Sequence, residues 1–141
     1  MTATMTRLTV RDLMTEGVFA VNANDDLATV SDLMDERNIR HAPVVEEGRL
    51  VGLISHRDLL RYALKGQVGA SPEVERAAQL RLRAEEIMTR DVATATPDQD
   101  IREAARVMLE GKYGCLPVVE DTRLVGILTE SDFVRFLAAG D

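Results

Sequence analysis

The sequence predicts an α+β fold: two βαββα units packed around a pseudo-two-fold axis, with the sheets inside and the helices outside. Three observations lead there. The chain repeats itself at an offset of 74 residues, so that residues 10–63 align without a gap on 84–137, with 16 identities over 54 positions. Within each copy, runs with strand character alternate with runs of helical apolar spacing, in the same order. There are only two copies, fewer than the three that a solenoid needs, so a closed pair is the natural packing.

The elements follow in order. A short helix is expected at 9–14, then a strand over Val18-Phe19-Ala20-Val21. Asn24, Asp25 and Asp26 have side chains that cap free N–H groups, and a helix follows near Leu27–Arg37. Its apolar positions Leu27, Val30, Leu33 and Met34 keep the three-four spacing of a buried stripe. Pro43 opens the next strand, where its missing N–H is tolerable. Glu46-Glu47-Gly48-Arg49 is hairpin chemistry, and residues 50–54 form a wholly apolar strand. Ser55-x-x-Asp58 then caps a helix running to about Lys65.

Gly66, Gly69, Ser71 and Pro72 mark a loop, and 73–83 is charged but rich in Ala and Leu, an expected exposed helix. A second short helix is expected at 84–88, Pro97-Asp98 precedes the next long helix, and Thr129-x-x-Asp132 precedes the last. The expected organisation is a first domain at 8–65, a linker at 66–83 and a second domain at 84–138.

Composition excludes several function classes. Hydrophobic residues are 45% and charged residues 29%, the balance of a globular chain with an aliphatic core, since aromatics are only 4% and Trp is absent. Lys and Arg total 17 against 24 Asp and Glu, a net charge of -7, which argues against nucleic acid and anionic membrane surfaces as partners. No apolar run could span a bilayer, and the N-terminus has no signal-peptide pattern. A single cysteine, Cys115, allows no internal disulfide framework and fits a reducing, cytoplasmic compartment.

Chemistry concentrates in Gly52-Leu53-Ile54-Ser55-His56-Arg57-Asp58 and its twin Gly126-Ile127-Leu128-Thr129-Glu130-Ser131-Asp132. Each places a glycine in the apolar strand, a hydroxyl residue after it, and an aspartate at the helix start. The plainer account is a helix cap. Yet a helix N-terminus also suits phosphate, an aspartate one turn in can accept from ribose hydroxyls, and glycine permits close approach to the strand.

The ordered set of Met14-Thr15 and Met88-Thr89, Pro43-Val44-Val45-Glu46 and Pro117-Val118-Val119-Glu120, the two Leu-Val-Gly runs and the two Ser/Thr-x-x-Asp turns resembles a tandem pair of cystathionine-β-synthase (CBS) domains, the Bateman module. The resemblance covers nearly the whole chain. It implies adenosine-containing ligands in clefts between the repeats, with AMP or ATP expected and ADP, S-adenosylmethionine or NAD as further members of the set. It places ribose and phosphate on Ser55, Asp58, Thr129 and Asp132, and phosphate on Arg40 and Arg57, with His41 beside them. It sets Asn22, Leu27, Thr96 and Ile101 at the corner bordering the base, with Ile54 and Leu128 as apolar walls. The alternatives are a module for another adenosyl ligand, or a ligand-free dimerisation scaffold.

The copies are unequal. Arg40, His41 and Arg57 in the first stand where Gly114, Cys115 and Ser131 stand in the second, which points to one site better equipped for phosphate. No catalytic constellation accompanies them: Cys115, His41 and His56 are too few and too scattered for a nucleophile–base pair or a zinc site, and no phosphate-binding G-x-x-x-x-G-K-[ST] loop is present. The expected role is ligand sensing, no catalytic cofactor, with the output passed to a separate protein. The final helices carry thick apolar faces, Leu59, Leu60, Ala63 and Leu64 in the first copy and Phe133, Val134, Phe136 and Leu137 in the second, so a homodimer through these helices is expected.

Overall fold

The computed structural model describes residues 7–64 and 71–140, so Lys65 and the linker glycines Gly66 and Gly69 lie outside the described residues. In chain order the elements are α1 (Val10–Leu13), β1 (Val21–Asn22), α2 (Leu27–Arg37), β2 (His41–Glu46), β3 (Arg49–Ser55), α3 (His56–Leu64), α4 (Pro72–Arg81), α5 (Ala84–Ile87), α6 (Ile101–Gly111), β4 (Cys115–Glu120), β5 (Arg123–Thr129) and α7 (Glu130–Ala138). The α+β class stands. Two expected details change: the first strand shrinks to Val21–Asn22, and Pro43 and Pro117 sit within their strands rather than opening them. Proline is tolerated there because Pro117 contributes only its carbonyl, which accepts from Ala95 N at 3.0 Å, a bond that needs no N–H from the ring.

The chain forms two compact units, and they do not coincide with the two sequence copies. A central unit spans Phe19–Val92, and a terminal unit joins Met1–Val18 to Ala93–Asp141. Each Met-Thr pair therefore packs with the copy to which it does not belong. In the terminal unit Thr15 N donates to Ile127 O at 2.9 Å and Ile127 N returns a bond to Thr15 O at 3.0 Å. In the central unit Leu53 and Thr89 exchange the same two bonds, at 3.0 and 2.9 Å. The end of the linker is also drawn in: just after α4, Leu82 O accepts from Leu27 N at 3.0 Å, and Leu82 packs against the central core.

In the central unit β2 and β3 pair antiparallel, with His41 opposite Ser55 and Glu46 opposite Arg49, and β1 adds parallel to β2 with Asn22 opposite Val45. The core lies under this sheet and includes Leu27, Val30, Met34, Val44, Ile54 and Leu59. α2 begins where Asp26 accepts from Thr29 N at 2.8 Å, a bond that holds its carboxyl below the usual carboxylate range, and it ends at Asn38 in the left-handed conformation. The terminal unit repeats the plan: β4 and β5 pair with Cys115 opposite Thr129, and Val10, Ile101, Met108, Leu116, Val118 and Leu128 fill the core.

The two hairpin turns differ in chemistry though not in shape. Glu47 and Gly48 turn the first with φ of 52° and 81°, and Asp121 and Thr122 turn the second with φ of 51° and 69°. Positive φ at both central positions is the twist-matched hairpin turn.

Candidate functional site

In the central unit one end of the β2–β3 hairpin gathers the residues expected to hold ribose and phosphate in the first copy. The register puts His41 opposite Ser55, and His56 N donates to Arg40 O at 2.7 Å, so the starts of β2 and α3 adjoin. Ser55 N donates to Asp58 Oδ2 at 2.9 Å and Asp58 N donates to Ser55 Oγ at 3.1 Å. This reciprocal cap uses one carboxylate oxygen. Oδ1 has no hydrogen-bond partner among the described residues. Arg40 and Arg57 are exposed and make no ion pair among the described residues. Arg40, His41, Ser55, Arg57 and Asp58 thus share one corner, with an open carboxylate oxygen, a hydroxyl and two unpaired guanidinium groups.

The matching corner of the terminal unit is closed. Thr129 N donates to Asp132 Oδ2 at 2.8 Å, and the Thr129 hydroxyl donates to the same oxygen at 3.3 Å. Asp132 Oδ1 accepts the Thr15 hydroxyl at 2.8 Å and is ion-paired with Arg135. The side chain of Asp132 is 2% exposed. Glu130, Ser131 and Gly114 supply no cation where the central unit has Arg57 and Arg40. Cys115 is buried, and desolvation pushes its thiol up to about 12, so it is a packed thiol and no nucleophile near neutral pH.

Of the residues expected to border the base, Ile54 and Leu128 directly precede Ser55 and Thr129, while Asn22 and Thr96 lie elsewhere in their units. Asn22 sits beside Val45, at the turn end of the hairpin, and with Asn24, Glu46 and Glu47 lines a polar cavity of about 450 Å³. Val45 stands four strand residues, about 13 Å, from His41, the residue opposite Ser55. Thr96 is placed likewise, since Ala95 bridges Val118 and Thr96 N donates to Gln99 Oε1 at 3.1 Å. Leu27, Ile54, Ile101 and Leu128 are buried in the two cores and present almost no surface to a ligand. Within either unit, Asn22 and Thr96 therefore stand away from the Ser/Thr-x-x-Asp turn of that same unit.

Two glycines find a partner within the chain. A Cβ on Gly52 would meet Met88 Sδ at 2.3 Å, and one on Gly126 would meet Met14 Sδ at 2.9 Å. The close approach expected of a ligand is made by the methionine of each Met-Thr pair. Sequence reasoning missed Thr15 and Arg135 as partners of Asp132. The signal was present, because Thr15/Thr89 and Arg61/Arg135 are identities of the 74-residue repeat, and Arg135 stands one helical turn after Asp132.

The CBS domain family model matches residues 10–65 and 84–139. The chain belongs to the CBS domain family. Protein MJ1225 of Methanocaldococcus jannaschii is 33% identical over 131 residues, 92% of this chain and 47% of that protein. The curated relatives named as enzymes are matched over a quarter of their length or less. Among solved structures, the CBS domain pair of protein MJ0100, in complex with 5′-methylthioadenosine and S-adenosyl-L-methionine, superposes with a TM-score of 0.75 at 29% identity, covering 96% of this chain and 100% of that one. CBSX2 in complex with AMP superposes with a TM-score of 0.77 at 29% identity, covering 93% and 96%. CBS pairs are regulatory ligand-binding modules, and those two hold adenosyl ligands. Among the described residues no helix is long and apolar enough to cross a membrane, and no group of three or more His, Cys, Asp or Glu could hold a metal ion.

Proposed function

We propose that this chain is a regulatory module that binds an adenine nucleotide, AMP or ATP, and passes a conformational change to a separate protein in the cytoplasm. The carrying observation is the corner formed by Asp58, Ser55, Arg40 and Arg57. A carboxylate oxygen with no partner among the described residues suits a ribose hydroxyl, and two unpaired guanidinium groups suit a phosphate, which they can grip bidentately. The adenosyl ligands held by the CBS pairs of MJ0100 and CBSX2 support this. S-adenosylmethionine is the weaker candidate at this corner, because its cationic sulfonium gains nothing from Arg40 and Arg57. The module works by binding rather than by chemistry, and a ligand moves it between states only as far as it prefers one of them.

For assembly we propose a homodimer through α3 and α7. Supporting it, Leu60 on α3 and Val134, Phe136 and Leu137 on α7 are exposed; the side chains of Ala63 and Leu64 lie outside the described residues.

A thermal-shift panel of AMP, ADP, ATP, NAD, S-adenosylmethionine and adenosine tests the ligand. A ligand at 100 times its Kd stabilises by about 2.7 kcal/mol. AMP and ATP are expected to raise the midpoint more than adenosine or S-adenosylmethionine does. No shift with any of the six overturns the reading.

A further inference from the structure

We propose that the Asp132 turn is occupied by the chain itself, so that an adenosyl ligand fills the Asp58 turn first and reaches Asp132 only by displacing Thr15 and Arg135. The inference rests on the adenosyl reading above and concerns how its two turns are ranked.

An ionised carboxylate accepts at both oxygens, about four lone-pair sites in all. At Asp132 every direction is in use: Oδ2 takes the N–H and the hydroxyl of Thr129, and Oδ1 takes the Thr15 hydroxyl and the Arg135 guanidinium. A ribose would bring the same kind of donor that Thr15 already supplies, an O–H. It would exchange one hydrogen bond for another, and it would also have to break a charge-assisted contact on a carboxylate shielded from water.

The central unit carries the same parts in the open arrangement. Thr89 and Arg61 stand at the positions of Thr15 and Arg135, 74 residues earlier or later in the repeat. Neither side chain bonds to Asp58, whose Oδ1 has no partner among the described residues. The difference between the turns is therefore not one of residue type at these positions. It is whether the threonine and the arginine have closed on the aspartate.

Displacement asks little of the fold. Thr15 is held by its backbone bonds to Ile127, which do not involve the hydroxyl, and the Arg135 side chain is 65% exposed. A rotation about the threonine χ1 and a swing of the arginine would open the turn. Binding at Asp132 is thus expected to be weaker, not forbidden, and to be set by these two side chains.

Calorimetric titration of the full chain with AMP tests the ranking. Wild type should show one binding event per chain, lost in Asp58→Asn. Arg135→Gln and, separately, Thr15→Val should each add a second event, at least ten-fold tighter than any second event in wild type. The double variant Asp58→Asn with Arg135→Gln should bind one equivalent. Thr15 and Arg135 are exposed and Asp58 is half-buried, and circular dichroism confirms folding of each variant. Two equal events in wild type, a single event that survives Asp58→Asn, or no gain from either Arg135→Gln or Thr15→Val overturns the inference and leaves the adenosyl reading standing. No binding of AMP, adenosine or S-adenosylmethionine by any variant overturns the adenosyl reading, and the inference falls with it.

Discussion

Met88 lies across Gly52 so closely that a Cβ on the glycine would stand 2.3 Å from the methionine sulfur. The thioether fills the space a side chain would take, and the two-way bonds between Thr89 and Leu53 hold it there. Gly52→Ala should therefore destabilise the protein by about 1–3 kcal/mol, the usual cost of overpacking. Gly126→Ala should cost less, because its contact with Met14 is looser. Urea unfolding of Gly52→Ala, Met88→Ala and the double variant checks it: the double should cost clearly less than the two single losses combined. Strict additivity would show that the two residues do not press on each other.

The two turn aspartates should separate in stability measurements. Asp132→Ala removes a cap, the Thr15 bond and the Arg135 pair around a buried carboxylate, and should cost about 1.5–3 kcal/mol. Asp58→Ala removes only a half-buried cap, worth about 1 kcal/mol. Chemical denaturation of the ligand-free variants reads the difference. Equal losses would mean that the Thr15 and Arg135 contacts contribute nothing.

The phosphate assignment has its own signature. Arg40→Gln combined with Arg57→Gln should weaken AMP and ATP by ten-fold or more and leave adenosine nearly unchanged, since each charge-assisted bond is worth about 1.5–3 kcal/mol. Titration of the double variant with all three ligands decides it. An equal loss for adenosine would place the phosphate elsewhere.

Burial of Cys115 couples stability to alkaline pH. The folded state keeps the thiol protonated up to about 12, whereas the unfolded chain releases the proton near the ordinary value of 9.0. Between those values the unfolded state binds fewer protons, so this contribution is fully present below pH 9 and falls as pH rises toward 12. The slope approaches about 1.4 kcal/mol per pH unit. Unfolding of wild type and Cys115→Ala at pH 8, 9.5 and 10.5 should show stability declining more steeply for wild type.

The exposed row on α7 predicts association. Sedimentation at micromolar concentration should give a dimer, and Leu137→Glu should shift it toward monomer, because Leu137 is 77% exposed. A wild-type monomer with and without nucleotide would remove the homodimer.

Much of this was legible in one dimension. The period of 74 residues, α2 with its Asp26 cap, both hairpins and both Ser/Thr-x-x-Asp turns follow from local patterns, because caps, turns and apolar spacing act within a few residues. Where the base corner stands relative to the Ser55 turn of its own unit was not legible locally, for a definite reason. Asn22 precedes Ser55 in the same copy, but β1 runs parallel to β2 and pairs near its far end, while Ser55 closes β3 at the other end of the antiparallel pair.

By itself, the sequence determined that the chain is a duplicated α+β protein with two equivalent turns, and it marked the first as richer in cations. Only the tertiary structure decided which copy each Met-Thr pair joins, which of two identical aspartates is already engaged, and what occupies the space above each strand glycine. Those outcomes rest on partners distant in the chain, such as Thr15 and Asp132, 117 residues apart. Local propensity cannot rank such pairings, because each is won by the packing of the whole unit around it.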